Sequence, residues 1–189
     1  MNEQFFQERY PEGYPKTVNV NEFSCITEIF DGFVKKYAEL PAFTCLGQTM
    51  TYAQLDEKSA AFASFLQNET SLQAGDRIAV QLPNVLQYPV VVFGAMRAGI
   101  IVVNTNPLYT EREMEHQFND SGAKALVVLA NFGDKVERVV PKTGIKHVIV
   151  TNVGDMHCPL KRTLINTVLK YVKKEVPAAN IPGAIPLRK

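Results

Sequence analysis

Arg77-Ile-Ala-Val-Gln-Leu82 is the first of four short apolar runs, and it is followed by Ile100-Ile-Val-Val-Asn104, Lys124-Ala-Leu-Val-Val-Leu129 and Lys146-His-Val-Ile-Val-Thr151. Such runs are typical of strands that are buried on both faces. Stretches with helical spacing separate them, and strand–helix alternation favours parallel strands joined by right-handed crossovers. We therefore predict an α/β fold, a mostly parallel sheet with helices on both faces.

Local signals place the helices between these strands. A helix is predicted within Val85–Arg97, with Gly99 just after its end. Thr110-Glu-Arg-Glu113 has the pattern of a capping box that opens a helix ending at Gly122. Residues 131–140 are predicted as a short helix.

The segment before the sheet has a different pattern. Residues 1–22 lack periodicity and are predicted as an extended arm, and apolar residues recur at helical spacing over 26–37. Ala42–Tyr52 predicts a small β-hairpin around Gly47-Gln48, and Thr51-Tyr-Ala-Gln54 predicts a second capping box. We divide the chain at the end of the arm, at the start of the sheet and after it: 1–22, 23–74, 75–158 and 159–189.

Composition excludes several classes of protein. The net charge of +1 argues against a nucleic-acid partner, and three Cys without a CxxC pair argue against a disulfide framework and for a reducing, cytoplasmic setting. The most apolar stretch, Val85–Val103, contains Arg97 and Pro89 and is predicted as two buried elements rather than a membrane span.

No self-sufficient catalytic site is visible. Gly94 and Gly99 have phosphate-loop spacing, but Ile100-Ile101 stands where that loop needs Lys and Ser or Thr. His157-Cys158 with Asp155 suggests either a metal or nucleophile site or a polar surface loop, and we favour the loop. We therefore predict no catalytic residue and no metal site in this chain.

The loop Asn104-Thr-Asn-Pro-Leu-Tyr-Thr110 is the most distinctive segment. It follows a predicted parallel strand and precedes a helix N-terminus, where open α/β sheets bind ligands and free N–H groups can hold an anion. The alternative is a stiff strand-to-helix connection fixed by Pro107. Chemistry alone favours that alternative.

Several blocks, taken in order, resemble adenylate-forming acyl-CoA synthetases. Two further segments, Arg9-Tyr-Pro11 and Lys170-Tyr-Val-Lys-Lys174, resemble the bacterial long-chain fatty-acid–CoA ligases among them. The blocks that carry the wider resemblance are Met50-Thr-Tyr-Ala-Gln-Leu55, Gly75-Asp-Arg-Ile-Ala-Val80, Gly94-Ala-Met-Arg-Ala-Gly99, Val102-Val-Asn-Thr-Asn-Pro-Leu-Tyr-Thr110 and Asn119-Asp-Ser-Gly-Ala123.

The resemblance implies a two-step ligase. A long-chain fatty acid reacts with ATP, assisted by Mg²⁺, to give an acyl-adenylate and pyrophosphate, and CoA then displaces AMP. The family's phosphate loop and C-terminal lysine are not in these residues, so the resemblance implies an N-terminal piece that is inactive alone and binds no cofactor tightly. Residues 23–74 would then belong to an incomplete second subdomain. The alternative function is a free-standing α/β binding or interaction module without catalysis.

The resemblance also implies where partners bind. Asn106, Pro107 and Leu108 would lie near CoA, and Lys135 and Arg138 could meet its phosphates. Residues 159–189 hold seven Lys or Arg and one Glu, and they are predicted as a basic amphipathic helix over 159–176 and a linker tail. The helix either packs on the sheet or contacts an anionic inner membrane. In the second case the ligase would be peripheral to that membrane. The resemblance also leaves a homodimer possible. The basic residues that would face the membrane are Lys161, Arg162, Lys170, Lys173 and Lys174.

Overall fold

The computed structural model describes residues 8–15 and 17–188, and within them the four apolar runs form neighbouring parallel strands. The main sheet has the strand order β4-β3-β5-β6-β7, all parallel, and β1 and β2 form a separate antiparallel hairpin. The predicted fold class and hairpin are confirmed. The strands are β1 (Pro41–Cys45), β2 (Gln48–Thr51), β3 (Arg77–Gln81), β4 (Ile101–Asn104), β5 (Ala125–Leu129), β6 (His147–Thr151) and β7 (Ile185–Pro186).

The helices begin and end close to the predicted positions. Both predicted capping boxes are present, at Thr51 with Gln54 and at Thr110 with Glu113, and Gly99 and Gly122 adopt positive φ angles after their helices. Short 3₁₀ turns flank α5, and a π-helical turn over Val168–Val172 extends α6. The helices are α1 (Ile26–Tyr37), α2 (Tyr52–Glu69), α3 (Gln87–Arg97), α4 (Glu111–Ser121), α5 (Gly133–Val139) and α6 (Pro159–Thr167).

Two hydrophobic cores cover the two faces of the sheet, because successive strand residues point to opposite faces. Helices α1, α2 and α3 pack on one face, and α4 and α5 pack on the other. The first core includes Phe30, Leu55, Phe62, Leu66, Val90, Val91, Ile78, Val80, Val127 and Ile149. The second includes Met114, Phe118, Val136, Val139, Ala79, Leu126, Val128 and Val148.

Arg97 joins three helices at the edge of the first core. Its guanidinium donates to Asp31 at 3.1 Å, to the Asp56 carboxylate and to the Asp56 carbonyl at 2.9 Å, and it lies 5.0 Å from the centre of the Phe30 ring. Since Asp31 lies on α1 and Asp56 on α2, this one side chain ties the segment before the sheet to α3. The proposed boundary at residue 74 stays a prediction, but side-chain packing continues across it.

The sheet has one more strand than the four predicted. Ile185–Pro186, in the segment predicted as a linker tail, pairs with Ile149–Val150, and the Leu187 N–H donates to the Val150 carbonyl at 2.8 Å. Two residues are too few to show a period, and Pro186, which lacks an N–H group, is tolerated because β7 is an edge strand. The tail is therefore part of the sheet.

Two other local expectations are corrected. The basic helix is shorter than 159–176, because Lys174 adopts a positive φ of 54° after the π-helical turn. Most of the predicted arm, residues 8–15 and 17–22, forms bends and turns with exposed side chains, while residues 1–7 and 16 lie outside the described residues.

Gly94 allows the close approach of α3 to α2, and this contact gives the first prediction. A Cβ at position 94 would lie 2.7 Å from the Ser59 carbonyl oxygen and 2.9 Å from the Phe62 ring. Because a backbone atom cannot move aside cheaply, we expect Gly94→Ala to lower the free energy of unfolding by about 1–3 kcal/mol. Urea denaturation measures the difference.

Gly32→Ala is the matched control for Gly94→Ala. Gly32 also lies within a helix, but a Cβ there would meet no atom within 4 Å. Alanine is the better helix former, so this variant should gain about 0.5–1 kcal/mol. Equal stability changes in the two variants would show that the Gly94 contact does not constrain the packing.

Candidate functional site

The carboxyl ends of β3 and β4 lie side by side at one edge of the sheet, where their connections part. After β3 the chain turns to α3 on one face, and after β4 it turns to α4 on the opposite face. Neighbouring parallel strands whose connections diverge in this way form the topological switch point at which α/β proteins bind ligands. We call it the switch-point crevice and define it by Gln81, Tyr88, Asn104, Thr105 and Gln117.

Polar side chains line the switch-point crevice. Tyr88 Oη donates to Asn104 Oδ1 at 2.9 Å, and Gln117 Nε2 donates to the Asn104 carbonyl at 3.1 Å. Gln81 is fully buried, and its Nε2 donates to the Asn106 carbonyl at 3.3 Å. Among the described residues nothing donates to the buried oxygens Oε1 of Gln81 and Oε1 of Gln117, so two acceptors beneath this edge of the sheet lack a partner within the described chain.

The loop between β4 and α4 is preorganised. Asn106 Oδ1 accepts a hydrogen bond from the Leu108 N–H at 2.9 Å, and the Asn106 carbonyl accepts one from the Tyr109 N–H at 3.1 Å. This Asx turn leaves the Leu108 side chain 80% exposed at the tip of the loop. The sequence-predicted residues Asn106, Pro107 and Leu108 therefore form one rigid, partly apolar projection.

The N-terminus of α4 already holds a negative charge of its own. Glu113 Oε2 accepts hydrogen bonds from the Thr110 N–H at 2.8 Å and from Thr110 Oγ1 at 2.7 Å. The bond from the Thr110 backbone and then the bond from its hydroxyl lower the pKa of the Glu113 carboxyl. The expectation that this helix start offers its free N–H groups to an anion is therefore only partly met, because a carboxylate of the chain lies there.

The two basic residues predicted on the next helix have different surroundings. Lys135 Nζ donates to the Tyr109 carbonyl at 3.0 Å, so it does lie beside the predicted loop. Arg138 is 2.7 Å from Glu111 and 2.8 Å from Asp134, whose pKa is lowered chiefly by the hydrogen bond from Arg138. The structure thus brings Lys135 to the loop, whereas two carboxylates already compensate the charge of Arg138.

The five basic residues of the predicted membrane face also separate into two groups. Lys161 donates to the Leu46 carbonyl of the hairpin, and Arg162 is half-buried. The other three, Lys170, Lys173 and Lys174, are exposed. The apolar stripe of the helix is only partly covered: Leu160, Leu164 and Val172 are exposed, with Leu160 at 84% and Val172 at 72%. Three others, Ile165, Val168 and Leu169, are half-buried, so the expected packing of the whole stripe on the sheet is not observed.

His157 is the residue whose burial differs most from the prediction. We favoured a polar surface loop, but the side chain is only 7% exposed, and neither ring nitrogen has a hydrogen-bond partner among the described residues. Residues distant in sequence bury this side chain, and no local sequence pattern around His157 predicts these contacts. Nowhere in 8–15 and 17–188 do three or more His, Cys, Asp or Glu side chains come together in a way that could hold a metal ion.

A parallel α/β sheet with a switch point at its carboxyl edge is a fold that commonly binds ligands, and comparison with known proteins assigns the family. Residues 30–183 match the family of AMP-binding enzymes. The chain belongs to this family. None of the helices in the described part of the chain is both long and apolar enough to cross a membrane.

The chain is similar to bacterial ligases. It is 49% identical over 180 residues to a long-chain-fatty-acid–CoA ligase of Escherichia coli, covering 95% of this chain and 32% of that protein. It is 48% identical to the corresponding ligase of Haemophilus influenzae, covering 98% of this chain and 33% of the relative. The chain therefore spans about a third of the length of the curated relatives it matches.

Solved structures share the architecture. A long-chain-fatty-acid–CoA ligase from Archaeoglobus fulgidus superposes with a TM-score of 0.65 at 25% identity, covering 83% of this chain and 32% of that chain. The acetoacetyl-CoA synthetase of Streptomyces lividans superposes with a TM-score of 0.66 at 16% identity, covering 85% of this chain and 24% of that chain. At that identity the second likeness shows the fold alone.

The Thr110–Glu113 pair gives the prediction for this site. In Thr110→Ala the Glu113 carboxylate loses the hydroxyl bond but keeps the backbone bond, so its titration midpoint should rise part of the way to the ordinary value. The variant should also lose about 1 kcal/mol of stability. Carboxyl-detected NMR titration and urea unfolding measure the two effects.

The direction of the Glu113 pKa shift fixes how this carboxylate's contribution to stability changes with pH. Because the folded pKa of Glu113 is lowered, its contribution to stability is present above the unfolded pKa and is lost as the pH falls through the folded value. Thr51→Ala is the control, since it removes the equivalent cap of α2 and does not touch Glu113. If both variants shift the Glu113 titration alike, the bond from Thr110 is not the cause.

Proposed function

We propose that this chain forms part of an enzyme that joins long-chain fatty acids to CoA. The fatty-acid carboxylate attacks ATP, which forms an acyl-adenylate and releases pyrophosphate, and the CoA thiol then attacks the acyl carbon and releases AMP. The observation that carries the proposal is the 49% identity to a long-chain-fatty-acid–CoA ligase over 95% of the chain. The switch-point crevice in a sheet of the same fold supports it.

This segment would provide binding surfaces rather than reacting groups. The described residues offer no metal-ligating cluster, so no step that needs Mg²⁺ is assigned to them, although the ATP reaction of the proposed enzyme would use that ion. Ser71 Oγ does lie 2.9 Å from His147 Nε2, but the nucleophiles of the proposed reaction are the fatty-acid carboxylate and the CoA thiol, so this pair is assigned no step. Electrostatic stabilisation of the adenylation transition state would therefore come from outside residues 1–189.

A chimera tests the proposal. Residues 1–189 would replace the matching third of the Escherichia coli ligase, and ligation of oleate to CoA would be measured in the purified protein. Because core positions tolerate hydrophobic exchange of similar volume, we expect activity within about tenfold of the parent. Residues 1–189 alone, assayed with oleate, ATP, Mg²⁺ and CoA, should release pyrophosphate only at background.

The alternative function, a free-standing binding module without catalysis, predicts a different result. The control is the same Escherichia coli ligase with the matching segment removed, which should be inactive. A chimera that folds but has no more activity than this control would contradict the ligase proposal. Clear turnover by residues 1–189 alone would contradict the proposal that the reacting groups lie elsewhere.

We further propose that CoA contacts the loop and helix beside the crevice. The exposed Leu108 tip with Asn106 and Pro107 offers an apolar platform, and Lys135 is within reach of the same loop. Arg138 would contribute only after exchanging its contacts with Glu111 and Asp134 for a phosphate. We therefore expect Lys135 to contribute more to CoA binding than Arg138.

Steady-state kinetics of the chimera test this CoA site. Lys135→Ala should raise the KM for CoA by about tenfold, the loss expected for one charge-assisted contact, and leave the KM for ATP and oleate unchanged. Lys142→Ala is the control, because Lys142 is an exposed lysine of the same segment that pairs with Glu115 at 3.6 Å. Equal effects of the two substitutions would rule out a CoA contact at Lys135.

A third proposal concerns the basic helix, which we place on an anionic membrane surface. Lys170, Lys173 and Lys174 are exposed beside the exposed Leu160, Leu164 and Val172, and basic and apolar groups together are what interfacial helices need. Lys161, which donates to the Leu46 carbonyl, and Arg162, which is half-buried, would contribute less. Each exposed lysine near an anionic leaflet is worth about 1 kcal/mol, and Lys173 would exchange its 4.0 Å ion pair with Glu175 for a lipid headgroup.

Liposome sedimentation tests the membrane proposal. Binding should require anionic lipid, weaken with added salt and fall when Lys170, Lys173 and Lys174 are all changed to Glu. The matched control changes Lys35, Lys36 and Lys146 to Glu, because these exposed lysines lie elsewhere and give the same change in net charge. Sedimentation velocity of the same proteins without liposomes measures whether they are monomers or homodimers. Binding that is equal in both triple variants would contradict the proposal.

A further inference from the structure

A second concave site lies away from the switch-point crevice. Helix α2, the turn before α6 and the end of the tail enclose a cleft of about 500 Å³. This volume is within the range of small-molecule sites. A neighbouring cavity of about 230 Å³ shares Lys58, Met156 and His157 with it. The apolar part of the cleft is formed by Phe62, Phe65, Val90, Met156 and Leu187.

His157 lines both cavities and is more than nine-tenths buried. Its backbone N–H donates to the Gly154 carbonyl at 3.0 Å, which fixes the turn, but neither Nδ1 nor Nε2 has a partner among the described residues. A buried imidazole without partners is costly. The side chain therefore has unused hydrogen-bonding capacity next to the cleft.

Cationic side chains outnumber acidic ones in the lining of the cleft. Lys58, Arg162 and Arg188 all line it, and within 8–15 and 17–188 none of their side chains forms an ion pair. Asp155 is the only acid in the lining. Its Oδ2 accepts from the Asn152 N–H at 2.7 Å, and its Oδ1 accepts from Asn166 Nδ2 at 3.0 Å. The acid is thus engaged within the protein, whereas the three cationic groups are free.

We propose that this cleft binds an organic anion with an apolar body, a carboxylate in its simplest form. Arg162, the half-buried cation, would hold the anionic group by charge-assisted hydrogen bonds, with His157 as a second polar contact. Phe62, Phe65 and Leu187 would cover the apolar body. The fatty acid of the proposed ligase has the same chemistry, but the cleft shares no residue with the loop and helix proposed for CoA, and the proposal concerns binding without turnover, so it can fail or hold independently of the ligase function.

Histidine NMR of residues 1–189 with sodium octanoate as the probe tests the proposal. The chain has three His residues, and only His157 lines the cleft. Octanoate should shift the His157 ring signals in a saturable way and leave those of His116 and His147 in place. Octan-1-ol and octylammonium, which have the same tail without a negative charge, should bind at least about tenfold more weakly.

Variants assign the anion contact. Arg162→Gln should weaken octanoate binding at least about tenfold, whereas Lys142→Gln, which removes a lysine outside the cleft, should not change it. If Arg162→Gln fails to fold, Lys58→Gln carries the same test at an exposed position. A His157 signal that does not move, or equal binding of octanoate and octan-1-ol, would overturn the proposal. Neither result depends on the activity of the chimera.

Discussion

Burial of the central strand on both faces is the constraint on which the structure depends. All five residues of β5 are buried, and they alternate between the two cores, with Val127 in the first and Leu126 and Val128 in the second. A strand of this kind is stable only if helices cover both faces. Helices α4 and α5, which lie within the sheet region, cover one face. The opposite face needs α2, which is formed by residues before the sheet, and Arg97 and Gly94 fix α2 against α3.

The same constraint positions the two proposed ligand sites. Because all strands of the main sheet are parallel, their carboxyl ends lie at one edge, and the connections after β3 and β4 diverge there. The α2 helix that covers the first face also forms one wall of the separate cleft around His157. The described residues thus combine a sheet that is covered on both faces with a cleft and a switch point, the features on which the proposed binding roles rest.

Most of the fold could be predicted because its signals are local. The Thr51 and Thr110 capping boxes, and the glycines after α3 and α4, depend on residues within one helical turn of each other. Whether a segment forms a helix or a strand follows from the spacing of its apolar residues. The position of the loop with Asn106, Pro107 and Leu108 at the sheet edge follows from strand order.

The remaining features depend on contacts distant in sequence. Strand β7 pairs Ile185 with Ile149, and a two-residue strand has no period to detect. His157 is buried by the packing of its turn, and Arg138 is neutralised by Glu111, which lies 27 positions away. The partial exposure of the apolar stripe of α6 could not be predicted, because amphipathic spacing is the same whether or not the apolar face is covered.

Native-state hydrogen exchange of residues 1–189 tests most directly whether the sheet and its preceding helix are one cooperative unit. If α2 is required to cover the first core, the amides of Leu55–Leu66 should exchange as slowly as those of β5, through the same global unfolding. Exchange in α2 that is orders of magnitude faster, while β5 stays protected, would contradict the account. It would show that residues 23–74 form a separate unit and that the sheet does not need them.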